Sequence, residues 1–261
     1  MRDIKDNPGN PQVKGMFRLS KKDGFISLFG DKTIACNQRD FLDARSMDAL
    51  SNQEPFSRLK KELGAKVLIF PYQRHGINSL DLLDHNTLKQ AKQRHCEADI
   101  VITTLPGIAI GVMTADCLPL IFYDGTVPAI AAIHAGWRGS VNNIAHYAVS
   151  RFCKVCNTKP SSISVLFGPS AGVQSYSVGE EVIDALAPTS WYPHVIHQRN
   201  GPTFFDLSKL NELQLIETGI NPAHIDRSHH IDTISSPNHF SYRRDRDMPA
   251  PYRQLTVAIF F

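Results

Sequence analysis

The stretch I-A-I-G-V-M-T-A-D-C-L-P-L (108–120), followed by A-I-A-A-I-H-A-G-W-R-G (129–139), decides the fold of this chain. Residues 108–113 and 129–133 are continuous apolar runs of strand length. Runs of that kind read as strands covered on both faces rather than on one. The first leads to Cys117 and the second to His134. A third run, Val67 to Phe70, leads to Q-R-H-G (73–76) and so to His75. Strand ends of one sheet edge can bring a thiolate and two imidazoles together. Two His and one Cys make the ligand count of a catalytic zinc site, which keeps its fourth position open for water or substrate. On spacing alone, the same residues read equally as a buried core Cys and two hydrogen-bonded core His.

Outward from this centre the elements alternate without a regular strand–helix rhythm. Strands are expected over 16–19, 24–29, 33–36, 101–104, 162–167 and 255–260. Residues 40–63 show helical spacing interrupted by Pro55, and 80–93 read as a polar, partly helical excursion. Helices are expected over 142–152, 179–186 and 206–218, the last ending at Gly219 with Pro222 beyond it. Residues 1–15 are polar, contain Pro and Gly, and read as a loose leader to one domain over 16–261. The expected class is α+β, a single domain with mixed sheets, packed helices and a metal site at strand ends. No G-x-G-x-x-G or Walker loop supports a dinucleotide or P-loop reading.

Composition narrows the partners. With 261 residues, 42% hydrophobic and 20% charged, the chain can bury a sizeable core. A net charge of +3 without a basic stripe argues against nucleic acid. No apolar stretch reaches the ~18 residues of a membrane span, and the first residues hold no signal-peptide core. Five cysteines fit reduced thiols, so a cytoplasmic location is expected. No protein partner is evident.

The segments Q-R-H-G (73–76), T-A-D-C-L-P-L (114–120), H-A-G-W-R-G (134–139), G-P-S-A-G (168–172), Y-S-V-G-E-E-V (176–182), F-D-L (205–207) and F-S-Y-R-R-D (240–245) occur in an order that resembles the bacterial laccase-domain proteins, also called multicopper polyphenol oxidase-like proteins. The resemblance runs from about residue 65 to the C-terminus. At two places the chain departs from the family pattern. The usual N-terminal G-G-V-S turn is missing, and Asp232-Thr233 stands where a Cys-Thr pair is usual. Some family members are described as purine nucleoside phosphorylases with adenosine deaminase activity, and one as a peptidoglycan editing factor.

The resemblance implies that His75, Cys117 and His134 bind Zn2+, with Cu2+ as an alternative that the same ligands accept. It implies a purine nucleoside and phosphate as small-molecule partners: phosphorolysis of adenosine, inosine, guanosine or methylthioadenosine, and deamination of adenosine. Arg138 and Arg243 are candidates to hold an anion, and Asp116 to orient a ligand or carry a proton. The ordinary readings are a strand-end Asp and surface ion pairs with Asp245 and Asp247. Gln73, Arg244, Gly168 and Ser170 are candidate substrate contacts, the last two through backbone N–H groups after a strand. Trp137 is expected beneath the site. Two alternatives come from other reaction classes: a zinc amidase that removes a wrong amino acid from a UDP-muramyl precursor, and a copper-dependent polyphenol oxidase. Cys153-x-x-Cys156 lacks a second pair, His194-x-x-His197 reads as an exposed loop, and His229-His230 with Asp232 is a weak ligand set.

Overall fold

The computed structural model describes residues 17–18, 24–44, 46–93, 96–199, 201–248 and 251–261. The expected leader over 1–15 lies outside these residues. The fold is α+β with mixed sheets. The first six-stranded sheet runs Phe17–Arg18, Phe25–Phe29, Tyr252–Phe260, Ile108–Thr114 and Val67–Ile69, with Ala35–Asn37 paired to the start of Tyr252–Phe260. The second runs Ile225–Asp226, Ser164–Phe167, Leu118–Asp124, Ala129–Ala135, Ile100–Thr103 and Ser79–Leu82. A small third sheet joins Ser177–Val178, Thr203–Phe205 and Ile196–Gln198.

The apolar runs at the centre are continuous because both of their faces are covered. Ile130 and Ala132 pack with Leu68, Ala109, Ile110 and Val257 of the first sheet. Ala131 and Ile133, one residue out of phase, pack with Phe152, Leu210 and Leu215 of the helices Ile144–Cys156 and Leu207–Glu217. The period-2 alternation of a strand thus divides its side chains between two cores. Gly111 is required where the first sheet packs most closely, since a Cβ there would lie 2.5 Å from the Thr256 carbonyl oxygen.

The chain leaves the first sheet at Thr114 and enters the second at Leu118. Cys117 sits in that crossing. The expected helix over 40–63 is instead three short ones, Gln38–Asp43, Met47–Leu50 and Phe56–Leu63. Asn37 and Ser46 accept hydrogen bonds at two fresh N-caps, and Pro55 starts the third. The polar excursion resolves into strand Ser79–Leu82 and helix His85–Gln93. His194 and His197 belong to helix Tyr192–Val195 and strand Ile196–Gln198, not to a loop. No helix among the described residues is long and apolar enough to cross a membrane.

Candidate metal centre

His75, Cys117 and His134 meet: one ligand atom from each lies within 4.8 Å of the other two. They are the one such group of His, Cys, Asp and Glu among the described residues. Strand Ala129–Ala135 brings His134, the sheet crossing brings Cys117, and the loop after Val67–Ile69 brings His75. The donor set suits a borderline metal such as zinc, whose ligand bonds are about 2.0–2.3 Å. His134 is buried, Cys117 half-buried and His75 exposed, so the cluster is open on one side.

Asp99 organises two of the three ligands, and nothing in the sequence reading assigned it a role. Its Oδ1 lies 2.7 Å from His134 Nδ1 and accepts from the His75 backbone N–H at 2.9 Å. Its Oδ2 accepts from Gly76 N at 2.7 Å and from Arg74 N at 3.1 Å. His134 N in turn donates to the Asp99 carbonyl at 2.8 Å. A carboxylate on Nδ1 fixes the imidazole tautomer and leaves Nε2 for the cluster. The three N–H donors also hold His75 at φ 60, a left-handed conformation that is unusual for a residue other than Gly. The available signal was an acidic residue placed directly before the apolar run Ile100–Ile102.

Asp116 has φ 86 and plays the matching part on the other side. Its carboxylate accepts from Thr233 Oγ1 at 2.7 Å, from Ser241 Oγ at 3.0 Å and from Arg243 N at 2.7 Å. It therefore ties the Cys117 turn to two segments more than a hundred residues distant. Gly136 lies against the ligands: a Cβ there would meet His75 Cδ2 at 2.9 Å and Cys117 Sγ at 3.0 Å.

Burial pushes the Cys117 thiol up, but His134 and His75 beside it outweigh that and bring it down to about 6. Burial likewise pulls His134 down, while the Cys117 thiolate and Asp99 carry it up to about 9. Cys36 and Cys156, which burial leaves without such partners, are pushed up to about 12. Alkylation needs the thiolate. In metal-free protein, Cys117 is expected to react with iodoacetamide with a midpoint near pH 6, its reactivity falling as the pH drops through that value. Peptide-resolved mass spectrometry reads this directly. A midpoint at the ordinary ~8.5 would show that the two imidazoles do not stabilise the thiolate.

The cluster opens into a cavity of about 510 Å³. Asp116, Arg138 and Arg243 line it, as do Gln73, Trp137, Tyr176 and Arg253. Trp137 is thus on the wall rather than beneath the site, with the Arg138 guanidinium 4.2 Å from its ring centroid. Arg138 and Trp137 open the helix Trp137–Val141. Asn211 Nδ2 and Gln214 Nε2 hold that turn by donating to Ser140 Oγ and Ser140 O, at 2.9 and 2.7 Å. The Arg243 guanidinium lies 5.3 Å from the Tyr176 ring centroid and donates to Ser177 O at 2.6 Å.

Four residues expected to contact substrate are engaged elsewhere. The Gln73 amide lines the cavity, but it donates to Met113 O and accepts from Met113 N, both at 2.8 Å, and so mimics a strand pair. Arg244 lies off the cavity wall; it donates to the carbonyls of Thr233, Ile234, Ser236 and His239 and pairs with Asp245. The backbone N–H groups of Gly168 and Ser170 donate to Pro119 O and Ile231 O, both at 3.0 Å, and a Cβ at Gly168 would lie 2.3 Å from Phe29 Cδ1. Ser170 is fully buried, with its hydroxyl 2.9 Å from His230 Nε2. Asp232, at the divergent position, accepts from Gly172 N and Ile234 N at 3.0 Å and from Ser175 Oγ, and so braces the same loop.

A sequence model of the family described as multi-copper polyphenol oxidoreductase laccase matches residues 44–255. A purine nucleoside phosphorylase of Bacteroides thetaiotaomicron is 33% identical over 184 residues, 68% of each chain. Adenosine deaminase RL5, from an unknown prokaryotic organism, is 31% identical over 211 residues, 76% of this chain and 78% of that one. Among solved structures, YlmD from Geobacillus stearothermophilus superposes with a TM-score of 0.78 at 22% identity, covering 96% of this chain and 97% of that one.

Proposed function

This chain belongs to the multi-copper polyphenol oxidoreductase laccase family, and from that premise we propose that it is a zinc-dependent purine nucleoside enzyme. It cleaves adenosine, inosine, guanosine or methylthioadenosine with phosphate, and deaminates adenosine. The observation that carries this reading is the open His75–Cys117–His134 cluster facing a cavity lined by three arginines. Relatives at about this identity bear the names of both activities. His75, Cys117 and His134 would hold the zinc, which when bound supplies a Lewis acid and lowers the pKa of a coordinated water.

The chain's own groups have separate tasks. The Trp137 and Tyr176 side chains offer aromatic surface to a purine. Arginine side chains suit phosphate, whose oxygen forms the new bond to ribose C1′ while the C1′–N9 bond breaks and the base leaves with a proton. Asp116, held by three donors, is assigned to positioning: it keeps the Arg243 segment against the cluster.

A single group of three ligands among the described residues gives little support to a multinuclear copper oxidase. The test is a direct assay of zinc-loaded protein with each of the four nucleosides, with and without phosphate. Free base and ribose 1-phosphate (5-methylthioribose 1-phosphate from methylthioadenosine), together with inosine from adenosine, are the expected products. Failure to release base from all four would sink the reading. Amino acid released from a UDP-muramyl precursor, or oxygen consumption with phenols that scales with bound copper, would replace it.

A further inference from the structure

Three arginines line the cavity, Arg138, Arg243 and Arg253, and none forms an ion pair with a carboxylate among the described residues. For Arg138 and Arg243 this needs no explanation, because both are exposed and water solvates them. Arg253 is different. It sits in strand Tyr252–Phe260, opposite Cys36, and is half-buried. The hydrogen bond its guanidinium makes is to the carbonyl of its own neighbour, Tyr252, at 2.9 Å. Its Cζ lies 5.6 Å from the Tyr242 ring centroid.

Other arginines drawn into the fold have a carboxylate partner. Arg151 pairs with Asp81, Arg227 with Glu212, and Arg244 with Asp245 and four carbonyls. The Asp116 carboxylate, which lines the same cavity, is already engaged by Thr233, Ser241 and the Arg243 N–H. A guanidinium half-withdrawn from water with one carbonyl partner keeps further N–H donors, for which a ligand can supply the oxygens. Its planar fork fits two oxygens of a tetrahedral oxyanion.

We propose that Arg253 binds the phosphate co-substrate in the cavity beside the metal ligands and sets the balance between phosphorolysis and deamination. This rests on the nucleoside reading above, since deamination needs no phosphate. Burial also pulls the Arg253 guanidinium down, opposed by the negative charge of Cys117 and Asp116. An arriving phosphate relieves the same desolvation. Arg243, which donates to Ser177, lines the same cavity from the exposed side.

The experiment compares zinc-loaded wild type with Arg253→Gln and Arg253→Lys. Zinc content and thermal midpoint are recorded for each. Loss of a charge-assisted, bidentate contact is worth about 1.5–3 kcal/mol, or roughly 10–150-fold. Arg253→Gln is expected to raise the KM for phosphate by that factor, with a much smaller change in the KM for inosine. The ratio of phosphorolysis to phosphate-free deamination falls accordingly. Arg253→Lys, which keeps the charge but not the fork, falls between. An unchanged phosphate KM, or equal losses in both reactions, would overturn the assignment. If wild type cleaves no nucleoside, the functional reading has failed instead. The Arg253 site then stands or falls on calorimetry with inorganic phosphate: binding that Arg253→Gln abolishes supports it, and binding that is absent or unaffected overturns it.

Discussion

Cys117→Ala is expected to leave a folded chain that holds no zinc and turns over at least ~1000-fold more slowly, equivalent to about 4 kcal/mol in the barrier. Cys117 is the sulfur donor of the group and the one ligand carried by the sheet crossing. Without it two imidazoles remain, one of them on an exposed loop. Two neutral ligands do not retain a divalent cation against water as three do, one of them anionic. The fold should survive, because Cys117 is half-buried and its replacement opens no large internal void. Elemental mass spectrometry and a thermal melt separate the two outcomes. About one zinc per wild-type chain and none in the variant, with a similar melt, places the metal on Cys117. Zinc retained by the variant would move the metal elsewhere and leave the arginine-lined cavity without its reactive centre. Cys153→Ala is the control. That residue lies in the helix Ile144–Cys156, and burial, with Asp124 nearby, raises its thiol.

The central strands and the ligand residues were legible because burial on both faces writes itself as an unbroken apolar run. The helix Leu207–Glu217 was legible because Asp206 caps it, accepting from Lys209 N at 2.8 Å, and Gly219 takes φ 93 after its end. What stayed hidden depends on pairings that only the folded chain creates. Tyr252–Phe260 fits between Phe25–Phe29 and Ile108–Thr114, and no local pattern encodes that partnership. Arg253 reaches the cavity through it. Gly168 and Ser170 looked like a turn ready to donate N–H groups, yet those groups already donate to Pro119 O and Ile231 O. Arg244 and Arg243 are adjacent in sequence and face different tasks, because the first is surrounded by carbonyls of 233–239.

Both unusual backbone conformations at the site, His75 and Asp116, are held by a carboxylate. Asp99 holds the first from outside, and the Asp116 side chain holds the second through its own bonds. A left-handed residue other than Gly costs of order 1–3 kcal/mol and persists only where its surroundings fix it. Here the surroundings are the hydrogen bonds that also aim the ligands. The strain and the geometry of the His75–Cys117–His134 cluster therefore share one support, and removing a supporting carboxylate should damage both.

Asp99→Ala should show that coupling most strongly. The substitution deprives His134 Nδ1 of its acceptor and leaves the N–H groups of Arg74, His75 and Gly76 without one. Breaking a buried, hydrogen-bonded charge costs about 3–5 kcal/mol, and loss of a carboxylate behind a metal-bound imidazole lowers metal affinity roughly 10–100-fold. Urea unfolding of metal-free protein reads the first, and competition with a zinc chelator the second. Asp99→Asn keeps the volume, but its NH2 group faces N–H donors, so it should recover little of the stability. The pH dependence gives an independent check. Burial pushes the Asp99 carboxyl up, but His134 and the backbone N–H groups outweigh it and hold the carboxyl below its usual range. A depressed folded value means that the contribution is complete above the unfolded pKa of about 3.9 and is lost as the pH falls through the folded one. As the pH falls below about 3.9, wild type should therefore lose stability that Asp99→Ala no longer has to lose, and the variant's deficit should narrow. A deficit constant down to pH 2 would mean that the lost volume, not the charge, sets the cost.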